Sequence, residues 1–76
     1  MTMANRVKRL VSEQLNVPVD DVHLNSDFVN DLGADSLALV ELHMLVEEKL
    51  GLNIPDGDAV QITSVGRLVT YAEAHA

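Results

Sequence analysis

Val7, Leu10, Val11 and Leu15 recur at helical spacing, which predicts a first helix from about Ala4 to Leu15. Asn16-Val17-Pro18 ends it. Helical pattern returns at Ser36 and lasts to Leu50, where Gly51 supplies the stop. Pro55-Asp56-Gly57-Asp58 breaks the chain again, and a short helical piece is expected from about Asp58 to Ile62. Ser64 is placed to cap a last helix, in which Val65, Leu68, Val69 and Ala72 fall at i, i+3, i+4 and i+7. Stretches of alternation are short and interrupted by Asp, Asn or Pro, so no strand is expected. The predicted fold is all-α: a small bundle of three main helices plus one short helix, with a long first loop. Residues 1–76 are read as one domain, with no room for a second core.

The connection from Asn16 to Asp35 is long for a structureless loop, so it should be packed or functional. Leu24, Phe28, Val29 and Leu32 are the residues expected to pin it to the bundle, and a one-turn helix within it would fit.

On a wheel at about 100° per residue the second helix separates two surfaces. Leu39, Leu42, Val46 and Leu50 form a core stripe. Leu37, Val40, Glu41, Met44, Glu47 and Glu48 gather on another side, beginning beside Ser36. Such a face is either solvated or a docking surface. In the docking reading the glutamates steer a basic partner over a Debye length of roughly 8 Å. Leu37, Val40 and Met44 then supply the dry contact, Met44 adapting to partners of varied shape.

Composition narrows the partners. The net charge is -7 and the pI about 4.5, so nucleic acid and anionic membranes are repelled and proteins with Lys/Arg patches are favoured. The chain has no cysteine, hence no disulfide, thiolate chemistry or Cys-based metal site. No signal-like or membrane-spanning apolar run is present, and a cytoplasmic monomer is expected. Phe28 and Tyr71 are the only aromatics in an otherwise aliphatic core, which predicts modest stability.

Ser36 is the residue with chemistry to offer. Gly33 ends the loop, Asp35 is placed to cap the helix, and the Ser36 hydroxyl then lies outside the fold at the positive end of a helix dipole. Unpaired amides and the dipole there suit a phosphate ester. A serine hydrolase is not expected: G-x-S-x-G is missing, and His43 lies seven residues on, about two helical turns from Ser36. The acids Asp20, Asp21, Asp27 and Asp31 lack the order of a calcium-binding EF-hand loop, and no metal ligand set is assigned. His75, near the terminus, is expected to be solvated.

The string Phe28-Val29-Asn30-Asp31-Leu32-Gly33-Ala34-Asp35-Ser36-Leu37, followed by Val40-Glu41-Leu42 and later Ile54-Pro55-Asp56, resembles an acyl carrier protein of type II fatty-acid or polyketide synthesis. The likeness runs along essentially the whole chain. It implies that a phosphopantetheinyl transferase moves 4′-phosphopantetheine from coenzyme A to Ser36, and that the arm's thiol carries acyl groups as thioesters. Partner enzymes with basic docking patches would do the chemistry, and the carrier itself would catalyse nothing. By position, Asp35, Glu41, Glu47, Glu48 and Asp56 match acidic recognition sites of that family, and Leu37, Val40 and Met44 its apolar contacts. Phe28, Leu42, Val46, Ile54, Ala59 and Ile62 match positions that line its acyl pocket or core.

The departures from the family pattern bear on pathway. Ala38 and Leu39 replace acidic and hydroxylic residues common after Asp-Ser-Leu in bacterial fatty-acid carriers, and Asn53 and Val60 stand where acids are frequent. Asp-Ser-Leu-Ala-Leu-Val-Glu is closer to some carriers of polyketide synthesis. His43 takes a position usually apolar. An acyl chain entering the bundle would gain roughly 0.8 kcal/mol per buried methylene, about 6 kcal/mol for eight, before the cost of parting the helices. Two alternatives stay open at this point: an acidic helical interaction module with no prosthetic group, and a carrier dedicated to a specialised pathway.

Overall fold

The computed structural model describes residues 2–75. Four helices follow one another: α1 (Met3–Leu15), α2 (Ser36–Leu50), α3 (Asp56–Ala59) and α4 (Val65–His75), with a single 3-10 turn at Val19–Asp21. The fold is all-α, as expected.

Local chemistry sets the helix ends. Thr2 caps α1 by accepting the Asn5 amide at 3.1 Å. Asn16 closes that helix in the left-handed conformation, φ 56°, which asparagine tolerates better than most residues. Gly51 does the same for α2 at φ 66°. Ser64 Oγ accepts the Arg67 amide at 3.3 Å at the head of α4.

The expected start of the short helix is corrected. The helix begins at Asp56 rather than near Asp58 and ends at Ala59, while Gln61 and Ile62 follow in tight turns. Pro55 acts as its starter, not only as a breaker: φ of -59° is preset for a first turn, and Asp56 and Asp58 favour the positive helix end.

The packing follows the sequence stripes. α1 lies against both α2 and α4. Val7 and Val11 of α1 meet Leu42 and Val46 of α2 and Val65, Leu68, Val69 and Ala72 of α4, with Phe28 fully buried among them. Leu39 and Leu50 close the ends of the α2 stripe half-buried.

The long loop is held differently from expectation. Phe28 is buried and Leu32 half-buried, but Leu24 and Val29 are about half exposed and do not pin it. Its anchor is backbone pairing with the entrance of α4. Phe28 N–H donates to the Thr63 carbonyl, Val65 N–H to Ser26 (both 3.1 Å), and Gly66 N–H to Leu24 at 2.7 Å. Asp27 and Ser64 form an isolated antiparallel bridge at the centre. The loop acids serve this turn as well: Asp27 Oδ1 accepts the Val29 and Asn30 amides, and Asp31 Oδ2 accepts that of Asp27.

Gly66 permits the close approach. A Cβ there would lie 2.8 Å from the Leu24 carbonyl oxygen, which is backbone, whereas one at Gly57 would meet open space. Gly66→Ala should therefore lose roughly 1–2 kcal/mol in urea unfolding, the overpacking cost outweighing the gain in helix propensity. Gly57→Ala should be neutral or stabilising. Equal stabilisation of both variants would contradict the tight contact.

Candidate functional site

The site grows from the junction of the long loop and α2. Asp27 and Asp31 order a single turn, and Gly33 leaves it at φ 73°, a conformation that favours glycine. Ala34, buried, donates its amide to the Phe28 carbonyl at 2.8 Å and fixes the entry of α2. Asp35 then caps the helix: its Oδ1 accepts the Ala38 amide at 2.8 Å. Ser36 is the first helical residue and is exposed. The amides at the start of a helix have no partner within it, so the Ser36 hydroxyl stands where an anionic ester oxygen meets donors and a favourable dipole. An exposed primary hydroxyl on a fixed backbone fits a covalent phosphodiester arm.

From Ser36 the outer face of α2 runs as the wheel describes. Leu37 is 66% exposed, Val40 55% and Met44 61%. Glu41 and Glu48 are exposed beside them, and Asp35 and Asp56 are exposed at the heads of α2 and α3. Apolar residues thus stand on the outer as well as the inner side of α2, an unusual surface for a helix whose inner stripe already fills a core.

Glu47 is placed elsewhere. It is half-buried, and its Oε2 accepts the Ile54 amide at 2.8 Å. This carboxylate fastens the α2–α3 connection, a role the wheel gave no sign of.

The residues matched to an acyl pocket divide into two groups. Phe28, Ala59 and Ile62 line a partly open pocket of about 300 Å³, with Leu39 and the exposed Val29 and Val60 beside them. Leu42, Val46 and Ile54 are core residues outside its lining. Sequence reasoning missed Val29 and Val60 as members of the pocket rim. Their signal was an aliphatic residue standing exposed in an otherwise polar connection.

On the far side of α3, Tyr71 donates to Asp58 Oδ2 at 2.8 Å and joins α3 to α4. That hydrogen bond to a carboxylate raises the phenol's pKa. His75 is exposed, as expected, yet stacks on the Tyr71 ring with centroids 3.9 Å apart.

His43 is half-buried, and its Nε2 is sealed from solvent without a hydrogen-bond partner. It makes no hydrogen bond to the Ser36 hydroxyl. A buried unpartnered nitrogen costs about 1–3 kcal/mol. Burial lowers the imidazole's pKa from 6.5, and the charge of Glu47 opposes the shift only in part. The sign follows: a group with a depressed folded-state pKa contributes stability above its unfolded value and loses it as pH falls. His43→Leu should accordingly lose less stability than the parent chain between pH 7.5 and 5.5. Parallel losses in urea unfolding at the two pH values would refute this.

Among the described residues no helix is long and apolar enough to cross a membrane. The family model described as the phosphopantetheine attachment site matches residues 5–72, nearly the whole chain. Domains of this kind receive 4′-phosphopantetheine covalently, and the group supplies a terminal thiol that bears a thioester. The chain belongs to the phosphopantetheine-attachment family, as a carrier domain of the acyl carrier protein type.

Proposed function

We propose that Ser36 receives the phosphopantetheine arm and that the protein, as a cytoplasmic monomer, shuttles acyl thioesters among the enzymes of fatty-acid or polyketide synthesis. The observation that carries this reading is the exposed Ser36 hydroxyl at the head of α2, in line with an exposed face of aliphatic and acidic side chains. The chain performs no catalysis of its own. A phosphopantetheinyl transferase is its first partner and synthase enzymes the later ones. Family membership sets aside the module without a prosthetic group. Within the carriers, Ala38 and Leu39 favour a dedicated pathway of polyketide type over housekeeping lipid synthesis.

Docking is assigned to Leu37, Val40 and Met44 as the dry centre, with Glu41, Glu48, Asp35 and Asp56 as the charged rim. Acyl chains enter at the pocket walled by Phe28, Ala59 and Ile62. The Glu41→Lys, Glu48→Lys double variant tests the face, since both residues are exposed and the fold should persist. Its modification by a basic transferase should slow roughly tenfold or more at low salt, and the gap should close near 1 M salt, where screening acts within about 3 Å. An unchanged rate at low salt would remove these glutamates from the docking face.

A further inference from the structure

The buried nitrogen of His43 has no role in attachment or docking. Its position on α2 shows what it faces. Leu39, one turn earlier, lines the pocket with Phe28, Ala59 and Ile62. Glu47, one turn later, reaches over to the Ile54 amide. Residues four apart lie on one side of a helix, so this flank of α2 faces the segment 54–62, and His43 sits midway along it. This flank combines aliphatic residues with one carboxylate: Ile54 and Ile62 are buried, Leu39 packs against the core, and the charge of Glu47 is felt at the His43 ring. An aliphatic side chain would fill such a position without a penalty. The imidazole instead brings a sealed, unpartnered Nε2 to this flank of α2, one turn beyond Leu39 of the pocket lining, which His43 itself does not join.

We propose that His43 forms a polar subsite for oxygenated acyl chains, its Nε2–H donating a hydrogen bond to a keto oxygen carried by a chain that enters beside Leu39. The inference rests on the reading that acyl chains enter this bundle. Burial favours the neutral ring, and the neutral tautomer with its proton on Nε2 is a donor suited to a ketone or a hydroxyl. A saturated chain offers no partner, so the subsite distinguishes oxygenated from fully reduced cargo.

The full chain, loaded by a phosphopantetheinyl transferase with hydrolysis-resistant octanoyl, 3-oxo-, 5-oxo- and 7-oxo-octanoyl pantetheine groups, tests this directly. Side-chain chemical shifts of Phe28, Ala59 and Ile62 report entry, and the His43 ring ¹⁵N shifts report the hydrogen bond. Octanoyl should enter and leave Nε2 unmoved; a keto oxygen at one of the three positions should move it. His43→Leu should then lower the entered fraction of that keto chain roughly five- to tenfold, one hydrogen bond's worth, and leave octanoyl unaffected. Entry of keto chains with an unmoved imidazole overturns the subsite and leaves the pocket standing. Failure of every chain to enter overturns both. The ring shifts are read in the unsubstituted protein, so the answer holds even if the variant folds poorly.

Discussion

Ser36→Ala should leave a folded protein that takes up no phosphopantetheine at all. The substitution removes one exposed hydroxyl and no side-chain contact that holds the fold. Asp35 still caps α2 through the Ala38 amide, and alanine is a strong helix former, so stability should change by no more than about 0.5 kcal/mol. The chemical loss should be complete because no other serine stands free at a helix head. It has no cysteine to carry a thioester, and Ser12, Ser26 and Ser64 are committed to the fold. Ser12 Oγ donates to the Val17 carbonyl, Ser26 Oγ accepts the His23 amide, and Ser64 Oγ accepts that of Arg67. Far-UV circular dichroism and intact mass after transferase treatment check the two halves. A modified Ser36→Ala chain would place the attachment elsewhere.

Phe28→Ala should cost the fold about 3–5 kcal/mol. A chain of 76 residues has a total stability of about 4–11 kcal/mol, and a net charge of -7 lowers that margin by self-repulsion. The variant should therefore lose about a third or more of its stability, and a chain at the lower end of that range would be largely unfolded at room temperature. Phe28 is the one fully buried aromatic ring among the described residues. It fills the junction of the long loop with the helices, and its backbone amide pairs with Thr63. Losing the ring empties the pocket wall and loosens the loop that delivers Ser36. Phe28→Leu keeps most of the volume and should cost less than about 1.5 kcal/mol. Urea unfolding followed by helix content gives both values. A Phe28→Ala loss below about 1 kcal/mol would mean that the loop is held by its backbone pairing alone.

What was legible in the sequence was local. Asn16 and Gly51 stop helices because they accept the left-handed conformation, and Asp35 and Ser64 start them because a short side-chain oxygen reaches an unpaired amide. The apolar stripes of α1, α2 and α4 gave the core because a helix repeats on one side every three or four residues. The serine and its flanking face were legible for the same reason, since a single helix carries them.

What escaped was long-range. Backbone pairing of residues 24–28 with 63–66 leaves no mark in side-chain pattern, so Leu24 and Val29 read as anchors where carbonyls and amides hold the loop. Gly66 reads as an ordinary helix glycine until the Leu24 carbonyl is seen above it. Glu47 lies at the edge of the outer face on a wheel, and only the return of the chain at Ile54 turns it inward. Pro55 interrupts a pattern and also presets a first turn, and the sequence alone favoured the first of these. His43 was visible as an oddity, but the sealing of its Nε2 without a partner depends on tertiary packing.

Intact mass spectrometry decides whether Ser36 bears the carrier arm. Incubated with a phosphopantetheinyl transferase and coenzyme A, the protein should gain one phosphopantetheinyl group, and peptide fragmentation should locate it on Ser36. A chain that stays unmodified, or that carries the group on another residue, would show that Ser36 is not the attachment site.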